Sequence, residues 1–214
     1  LNTNTTLHLW ELTEHAKDLL HQIELLTNEK RQLETMRNEK RRAEFLASRI
    51  LQKKVFPNET ILYSGNGAPY LINQTANISI SHSNRFVCFM NSKFACGVDI
   101  EHISSKALRI ARRFLSENEL KFIHDEYPAK DATLLWCAKE SLFKTLNRAN
   151  INFSSQILIE NIVNDGTKNI KASIITDKAN SQHIINYDFI DEQVLTWVTD
   201  EKHQIYAHRT TEQN

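Results

Sequence analysis

The chain has 214 residues, 41% hydrophobic and 24% charged, which is enough for one or two globular domains with a buried core. Its 26 basic and 26 acidic side chains cancel, and this balance argues against a protein that works on nucleic acid. The sequence shows no apolar run of the roughly 18 residues that a membrane span needs, and no signal peptide, so we expect a cytoplasmic protein. The three cysteines, Cys88, Cys96 and Cys137, form no CxxC pair and stand in apolar segments, which predicts buried thiols in a reducing compartment.

The predicted elements begin with a strand, TLHLWEL, followed by a helical region from residue 13 to about residue 54. A break is expected near Thr27 and Asn28, with Thr27 capping the second helix. Between Glu29 and Lys54 the chain has nine basic and four acidic residues, a local charge of +5. A solvated amphipathic helix explains this pattern, and the absence of sustained heptads disfavours a coiled coil.

A β-rich section follows Pro57, with strands predicted at TILYS, YLI, NISIS, FVCFM and FACGVDI and a turn at GNGAP. Residues 105 to 148 are predicted to be helical, and Ser116 with Glu119 forms a capping-box pattern. Residues 152–209 are expected to be mostly strands, with a hairpin turn at Asp165-Gly166. The order of elements predicts an α+β protein with two similar subdomains, 1–104 and 105–214.

The helix LWCAKESLFK carries Trp136, Glu140 and Lys144 in one column, because residues four apart share a helix face. A surface Glu–Lys pair explains that column on its own. In the strand GVDIE, Asp99 and Glu101 share one face, and two such carboxylates repel each other unless a cation lies between them. Mg²⁺ is held by one or two carboxylates together with substrate phosphates, whereas a sheet edge with two solvated acids is the plain alternative.

Glu140 lies 41 residues after Asp99, far enough for the helical segment between them to bring the chain back, and it is the natural third ligand. Three carboxylates with a lysine nearby indicate metal-assisted chemistry on a phosphate ester. Lys144, one turn beyond Glu140, would face the same oxygens.

The strand ISISHS places Ser79, Ser81 and Ser83 on one face and His82 on the other or at the strand end. A lone histidine is more often structural than functional. At the end of a strand lined with serines, it could instead bind a phosphate.

GVDIE and WCAKESLFK together resemble the two-part signature of the phosphopantetheinyl transferase superfamily, a G-[IV]-D-x-E strand followed by a [FW]-x-x-K-E-[AS]-x-x-K helix. Every position of that signature is filled, by Gly97, Val98, Asp99, Glu101, Trp136, Lys139, Glu140, Ser141 and Lys144. ISISHS is similar to the S-H-S stretch that precedes the acidic strand in this family, and EKRRAEFLASR resembles its basic N-terminal helix. The chain length suits the longer, single-chain branch that activates synthetases and carrier proteins.

The resemblance implies two similar α/β subdomains that form a pseudo-dimer with the active site in the cleft between them. It implies an enzyme that transfers the 4′-phosphopantetheine arm of coenzyme A to a serine of an acyl or peptidyl carrier protein, with Mg²⁺ as cofactor. Adenosine 3′,5′-bisphosphate would be released, and we expect a monomer with no nucleic-acid or membrane partner.

The resemblance also implies roles for individual residues. The metal ligands would be Asp99, Glu101 and Glu140, and Glu140, or a water that it positions, would take the proton of the carrier serine. Lys144 would assist catalysis and steady the phosphates. Coenzyme A would be bound by Lys40, Arg42, Arg49, Ser81, His82, Lys139 and Lys144. The family often has Gly-Lys-Pro before the S-H-S strand, whereas this chain has Gly67-Ala68-Pro69, so one phosphate contact is missing.

Two other interpretations remain open at the level of the sequence. A metal-dependent nuclease or phosphoesterase of the D…E-x-K type would place its Glu and Lys two apart on a strand, but here Lys139 directly precedes Glu140. A non-enzymatic helical interaction module built on residues 13–54 would leave the three acids and ISISHS unexplained. Stabilisation by Mg²⁺ with coenzyme A would distinguish the transferase from both.

Overall fold

The computed structural model describes residues 4–146, 150–163, 166–176 and 180–201. The N-terminal elements are β1 (Thr5–Glu11), α1 (Ala16–Leu20), α2 (Thr27–Thr35), α3 (Glu39–Val55), β2 (Ile61–Tyr63), β3 (Pro69–Leu71), β4 (Asn77–His82) and β5 (Phe86–Ser92). The remaining elements are β6 (Ala95–His102), α4 (Ser105–Arg109), α5 (Ala111–Phe114), a short 3₁₀ helix (Glu119–Phe122), α6 (Pro128–Lys144), α7 (Phe153–Gln156), β7 (Ile157–Val163), β8 (Asn169–Ile175), β9 (Asn180–Ile190) and β10 (Gln193–Asp200). The predicted α+β class is confirmed.

The strands form a three-stranded sheet of order β1-β5-β4, a five-stranded sheet of order β6-β10-β9-β8-β7 and the two-stranded hairpin β2-β3. All the pairings within these sheets are antiparallel. β6, the GVDIE strand, pairs with β10 along its whole length, from Ala95 opposite Asp200 to His102 opposite Gln193. The change of sheet therefore falls between β5 and β6, because β6 bonds to the C-terminal strands, while the subdomain boundary at 104/105 stays a prediction.

Each of the two larger sheets is covered by one helix of 17 residues, α3 on the first and α6 on the second. Leu46 and Ala47 of α3 pack with Val87 and Phe89 of β5 in the N-terminal core. The apolar residues Leu135, Ala138 and Leu142, which recur along α6 at helical spacing, are fully buried in the C-terminal core. The two halves thus have a similar make-up, and their pseudo-dimeric relation stays a prediction.

β4 and β6 lie side by side although no ladder of main-chain hydrogen bonds joins them. The Oγ of Ser79 accepts a hydrogen bond from the Val98 N–H at 3.0 Å, and the Oγ of Ser81 accepts one from the Ile100 N–H at 3.3 Å. These pairs advance in the same direction along both strands, so the strands run parallel. We call this junction of β4 and β6 the serine seam.

Several local predictions are confirmed. Ser116 and Glu119 exchange hydrogen bonds in the capping-box pattern, and the three cysteines are buried free thiols. β7 and β8 pair as a hairpin, with Gly166 at a φ of +94° between them, while Asp165 lies outside the described residues. In the described ranges, no helix is both long and apolar enough to cross a membrane.

Candidate active site

The candidate site forms where β6 passes unusually close to α6. A Cβ atom at Gly97 would lie 1.9 Å from the carbonyl oxygen of Ser141 and 3.2 Å from the Cβ of Lys144, so only glycine allows this approach. Alternation along the strand then places Gly97, Asp99 and Glu101 on the face toward the helix. The column Trp136, Glu140 and Lys144 therefore faces two carboxylates rather than solvent.

Asp99 is the buried centre of the cluster. Its Oδ1 accepts hydrogen bonds from the Ser81 hydroxyl and from the Lys144 ammonium, both at 2.7 Å. The described residues give its buried Oδ2 no N–H or O–H donor, and the Cys137 thiol lies beside the same carboxylate. One oxygen of the carboxylate is thus fixed by two strong donors, while the other has only the weak thiol donor of Cys137 beside it.

Lys144 also donates to the carbonyl of Val98 at 2.9 Å. Burial acts to lower the pKa of its ammonium, but the negative charges of Asp99 and Glu140 outweigh that effect and raise the pKa above its usual value. Lys144 is therefore a fixed positive charge inside the acidic cluster.

Glu101 and Glu140 are half-buried and complete the cluster. Trp136 Nε1 donates to Glu101 Oε1 at 3.3 Å, which ties the indole to the strand. Burial, and then the charge of Asp99, raise the pKa of Glu101. Burial and the charges of Asp99 and Glu101, opposed by Lys144, raise the pKa of Glu140 to about 7. The three carboxylates thus lie within electrostatic reach of one another and of Lys144, and Lys106 acts on Glu101 as well.

As they stand, the described residues contain no group of three His, Cys, Asp or Glu side chains close enough to hold a metal ion. The chemistry of the cluster nevertheless fits a hard divalent cation, because carboxylate oxygens are its preferred ligands and Asp99 Oδ2 lacks a donor. Asp99, Glu101 and Glu140 are the residues that could hold such an ion.

A second group of polar side chains surrounds His82 at the end of β4. Arg41 Nη1 hydrogen-bonds the imidazole Nε2, and since arginine can only donate, the ring hydrogen lies on Nδ1, 3.3 Å from Glu44 Oε2. Lys40 Nζ donates to Asn84 Oδ1 in the adjoining turn. We call Lys40, Arg41, Glu44 and His82 the β4-end cluster.

Burial, opposed by Glu44 but supported by Arg41 and Lys144, lowers the pKa of His82. The effect of Lys144 also shows that the β4-end cluster lies within electrostatic reach of the acidic cluster. The serine seam connects the two clusters along the chain, because Ser81, which donates to Asp99, directly precedes His82.

Three of the residues predicted to bind coenzyme A have other partners in the structure. The guanidinium of Arg42 donates to the carbonyls of Leu33 at 2.8 Å and Met36 at 3.4 Å, at the end of α2. Arg49 is buried against Glu29, with its Nε 3.3 Å from Oε1, and stacks on the ring of Phe45. Both arginines hold the N-terminal helices together, because their cationic groups face carbonyls and a carboxylate inside the fold.

Lys139 is the third. Its side chain is fully buried, and its ammonium donates to Glu119 and to the carbonyls of Phe114 and Phe153, at 2.7 to 2.9 Å. The structure therefore makes Lys139 a tie between α6 and the 3₁₀ helix and α7, about 100° around the helix from Glu140. This corrects the expectation that it contacts phosphates.

Two further residues with expected roles toward coenzyme A are Ser81 and Ala68. The hydroxyl of Ser81 is 7% exposed and donates to Asp99, so it serves the acidic cluster directly. Ala68 lies in the β2-β3 turn, where the Ser64 N–H donates to its carbonyl at 3.0 Å. Its role toward a donor nucleotide stays a prediction.

Sequence reasoning missed Glu44 and did not place Arg41 among the binding residues. The usable signal was the helical spacing of α3: Arg41 and Glu44, three apart, face the same way, and Arg42 is turned about 100° from Arg41. Fixing which arginine faces β4 needed the packing of α3 on β5.

The family model of the 4′-phosphopantetheinyl transferase superfamily matches residues 95–198, from the start of β6 almost to the end of β10. A curated relative, the 4′-phosphopantetheinyl transferase gsp of Aneurinibacillus migulanus, is 32% identical over 104 residues. That alignment covers 46% of this chain and 44% of the relative, so the chain matches less than half the length of that protein. Residues 95–198 contain the acidic cluster of Asp99, Glu101 and Glu140 with Lys144, and also Gly97. Over residues 95–198, just under half of its length, the chain is therefore similar to the 4′-phosphopantetheinyl transferase superfamily.

Proposed function

We propose that the protein transfers the 4′-phosphopantetheine arm of coenzyme A to a serine hydroxyl of an acyl or peptidyl carrier protein. The observation that carries the proposal is the acidic cluster of Asp99, Glu101 and Glu140 around Lys144, next to the β4-end cluster. Repelling carboxylates with one fixed ammonium suit a reaction at a pyrophosphate that brings its own negative charge and a cation. The superfamily match supports the same reaction class.

The β4-end cluster would receive the phosphates of the donor. Lys40 and Arg41 are exposed cations, and the bonds they make to Asn84 and His82 can be exchanged for phosphate oxygens. Arg41 is the better candidate than Arg42 or Arg49, because it faces His82. The 3′-phosphate of coenzyme A is the group we assign to this cluster.

Asp99, Glu101 and Glu140 would hold Mg²⁺, which would offset the negative charge of the pyrophosphate when bound. Lys144 is anchored by Asp99 and the Val98 carbonyl, and its remaining N–H can bond a phosphate oxygen next to the breaking bond. Ser81 would contribute indirectly, through the hydrogen bond that its hydroxyl donates to Asp99.

Glu140 is the group that takes the proton of the carrier serine, directly or through a water that it holds. In the metal-free protein burial and the charge of Asp99 raise its pKa to about 7, and a bound cation would keep the carboxylate deprotonated and so able to accept the proton. The serine oxygen then bonds to the phosphorus on the pantetheine side, and the bond from that phosphorus to the bridging oxygen of the pyrophosphate breaks. Adenosine 3′,5′-bisphosphate leaves with the electron pair of the broken bond.

The finer assignments belong to the same proposal. We place the protein in the single-chain branch that activates synthetases and carrier proteins, acting as a cytoplasmic monomer. The balanced charge of the chain supports a protein partner rather than nucleic acid.

The test is incubation with an apo carrier protein, coenzyme A and Mg²⁺, followed by mass spectrometry of the carrier serine. We expect a mass increase of one phosphopantetheine, and none with EDTA or with Asp99→Ala. A carrier that stays unmodified by folded wild-type protein would contradict the proposal. Cleavage of a nucleic acid or a simple phosphodiester under the same conditions would point to the phosphoesterase instead.

A further inference from the structure

The three serines of the serine seam have different hydrogen-bond partners. Ser79, Ser81 and Ser83 all point from β4 toward the five-stranded sheet, and all three are buried. Ser79 accepts from the Val98 N–H, and Ser83 donates to Gln193, whose amide nitrogen lies 3.1 Å from His102 Nδ1. Among the hydrogen bonds of the described residues, the middle serine is the one that reaches a member of the acidic cluster.

Ser81 uses its hydroxyl twice. The oxygen accepts from the Ile100 N–H at 3.3 Å, and its hydrogen is donated to Asp99 Oδ1 at 2.7 Å. The hydrogen bond from the Ile100 N–H orients the hydroxyl. An oxygen that accepts from one donor can point its own hydrogen in only a few directions. The short donated bond is of the charge-assisted kind, which is about twice as strong as a neutral one.

Asp99 Oδ1 consequently receives donors from two sides, the hydroxyl on β4 and the ammonium on α6. Two bonds to one oxygen fix the rotation of the carboxylate, whereas a single bond to Lys144 would leave it free to swing with that long side chain. With Oδ1 occupied, Oδ2 is the atom left for a further ligand.

We propose that Ser81 is a positioning residue that sets the Asp99 carboxylate with Oδ2 toward the divalent cation. The proposal deepens the proposed function and rests on the acidic cluster that binds metal in it. Groups that bond a ligating carboxylate without touching the metal typically contribute 10- to 100-fold in metal affinity, so the expected effect is roughly tenfold.

The test compares Ser81→Ala with Ser79→Ala. Each variant loses a hydroxyl that accepts a hydrogen bond from a main-chain N–H of β6. Of the two, Ser81→Ala also removes the hydrogen bond to the Asp99 carboxylate. Binding of Mn²⁺ alone is measured by the loss of the electron paramagnetic resonance signal of the free ion, without coenzyme A or carrier. We expect Ser81→Ala to weaken Mn²⁺ binding by roughly tenfold and Ser79→Ala to leave it unchanged.

A second pair, Ser81→Thr and Ser81→Val, separates the hydroxyl from folding, because threonine and valine have the same shape. Threonine should restore the affinity and valine should not. Equal Mn²⁺ affinities in that pair, or equal losses in Ser81→Ala and Ser79→Ala, would overturn the proposal. A wild type that binds no Mn²⁺ would also overturn it, whereas a wild type that binds Mn²⁺ at Asp99 but modifies no carrier would overturn only the transferase function.

Discussion

Lys139 and Lys144 lie on the same helix, and each bonds a carboxylate at 2.7 Å, but the surroundings of the two pairs differ. Around Lys139 the ammonium has three acceptors, and the two oxygens of Glu119 also accept the N–H groups of Ser116 and Ile159. Around Lys144 two further carboxylates are raised in pKa and one buried oxygen of Asp99 lacks an N–H or O–H donor. We call these the closed pair and the open cluster.

The difference between them indicates a structural role for the closed pair and a ligand-binding role for the open cluster. Every polar group of the closed pair is satisfied inside the fold, so it has no capacity left to bind a ligand and its role is to hold α6 in place. The open cluster keeps unsatisfied negative charge at the same helix, which destabilises the free protein and favours a cationic ligand. Removing a charge should therefore have opposite effects on folding at the two places.

The largest expected effect is on transfer, through the open cluster. Glu140→Gln and Asp99→Ala should each lower carrier modification by about 1000-fold or more, because proton transfer and charge neutralisation are both lost. The rate is measured by mass spectrometry of the carrier, with Glu34→Gln on the exposed face of α2 as the control. Turnover by either variant at the wild-type rate in Mg²⁺ would show that the open cluster is not the reaction centre.

The next effect concerns folding at the closed pair. Lys139→Met should lower the free energy of unfolding by about 3–5 kcal/mol, because it leaves the carboxylate of Glu119 buried without its cation. Urea denaturation measures the loss of stability. The matched control is Lys121→Met, at an exposed lysine of the 3₁₀ helix that contains Glu119. Adding Glu119→Gln to Lys139→Met should recover part of the stability. A Lys139→Met variant as stable as wild type would remove the distinction between the two places.

A smaller effect, of opposite sign, is expected at Glu140 as the pH changes. Its pKa is raised from 4.5 to about 7 in the folded protein, so folding takes up a proton between these values and wild-type stability falls as the pH rises through that window. Glu140→Gln cannot lose the proton. It should exceed the metal-free wild type by about 1–3 kcal/mol at pH 8 and match it near pH 4.

Thermal denaturation in EDTA across pH 4 to 8 checks this, with Glu34→Gln again as the control. Since the charge of Asp99 also raises the pKa of Glu101, that carboxyl adds a contribution of the same sign. A Glu140→Gln variant that is less stable than wild type at pH 8 would mean that Glu140 is a partner of Lys144 and not a repelled acid.

The smallest effect concerns the β4-end cluster. His82→Ala and Arg41→Ala should each raise the KM for coenzyme A by about tenfold and spare kcat at saturation, because these groups bind the ground and transition states alike. Arg42→Ala, one residue along α3, should leave the KM unchanged, since its guanidinium faces the carbonyls of Leu33 and Met36. Kinetics with dephospho-coenzyme A, which lacks the 3′-phosphate, should be less sensitive to both changes. Equal responses to the two donors would assign these residues to another phosphate.

Much of the open cluster could be predicted because its information is local. Alternation in GVDIE and the four-residue step of α6 decide which side chains share a face, and the structure turns those two faces toward each other. Alternation in ISISHS likewise predicted that the three serines share a face.

The partners of the buried cations could not be predicted in this way. Lys139 and Arg49 sit in motifs that look cationic and accessible, and only the packing of α6 against the 3₁₀ helix and of α3 against α2 buries them. The pairing of β6 with β10 was missed for the same reason. Strand pairing across about 100 residues is decided by tertiary contacts rather than by local pattern.

Gly97 also limits how this part of the molecule can vary. Because its backbone meets the Ser141 carbonyl with no side chain between them, the gap between β6 and α6 is set at this point by main-chain atoms and the Cβ of Lys144. Enlarging or trimming neighbouring side chains therefore cannot retune that gap, and even the smallest replacement at position 97 pushes the two elements apart. In a saturation mutagenesis library this position should tolerate nothing but glycine, while Ser141, whose carbonyl makes the contact, should accept other small residues.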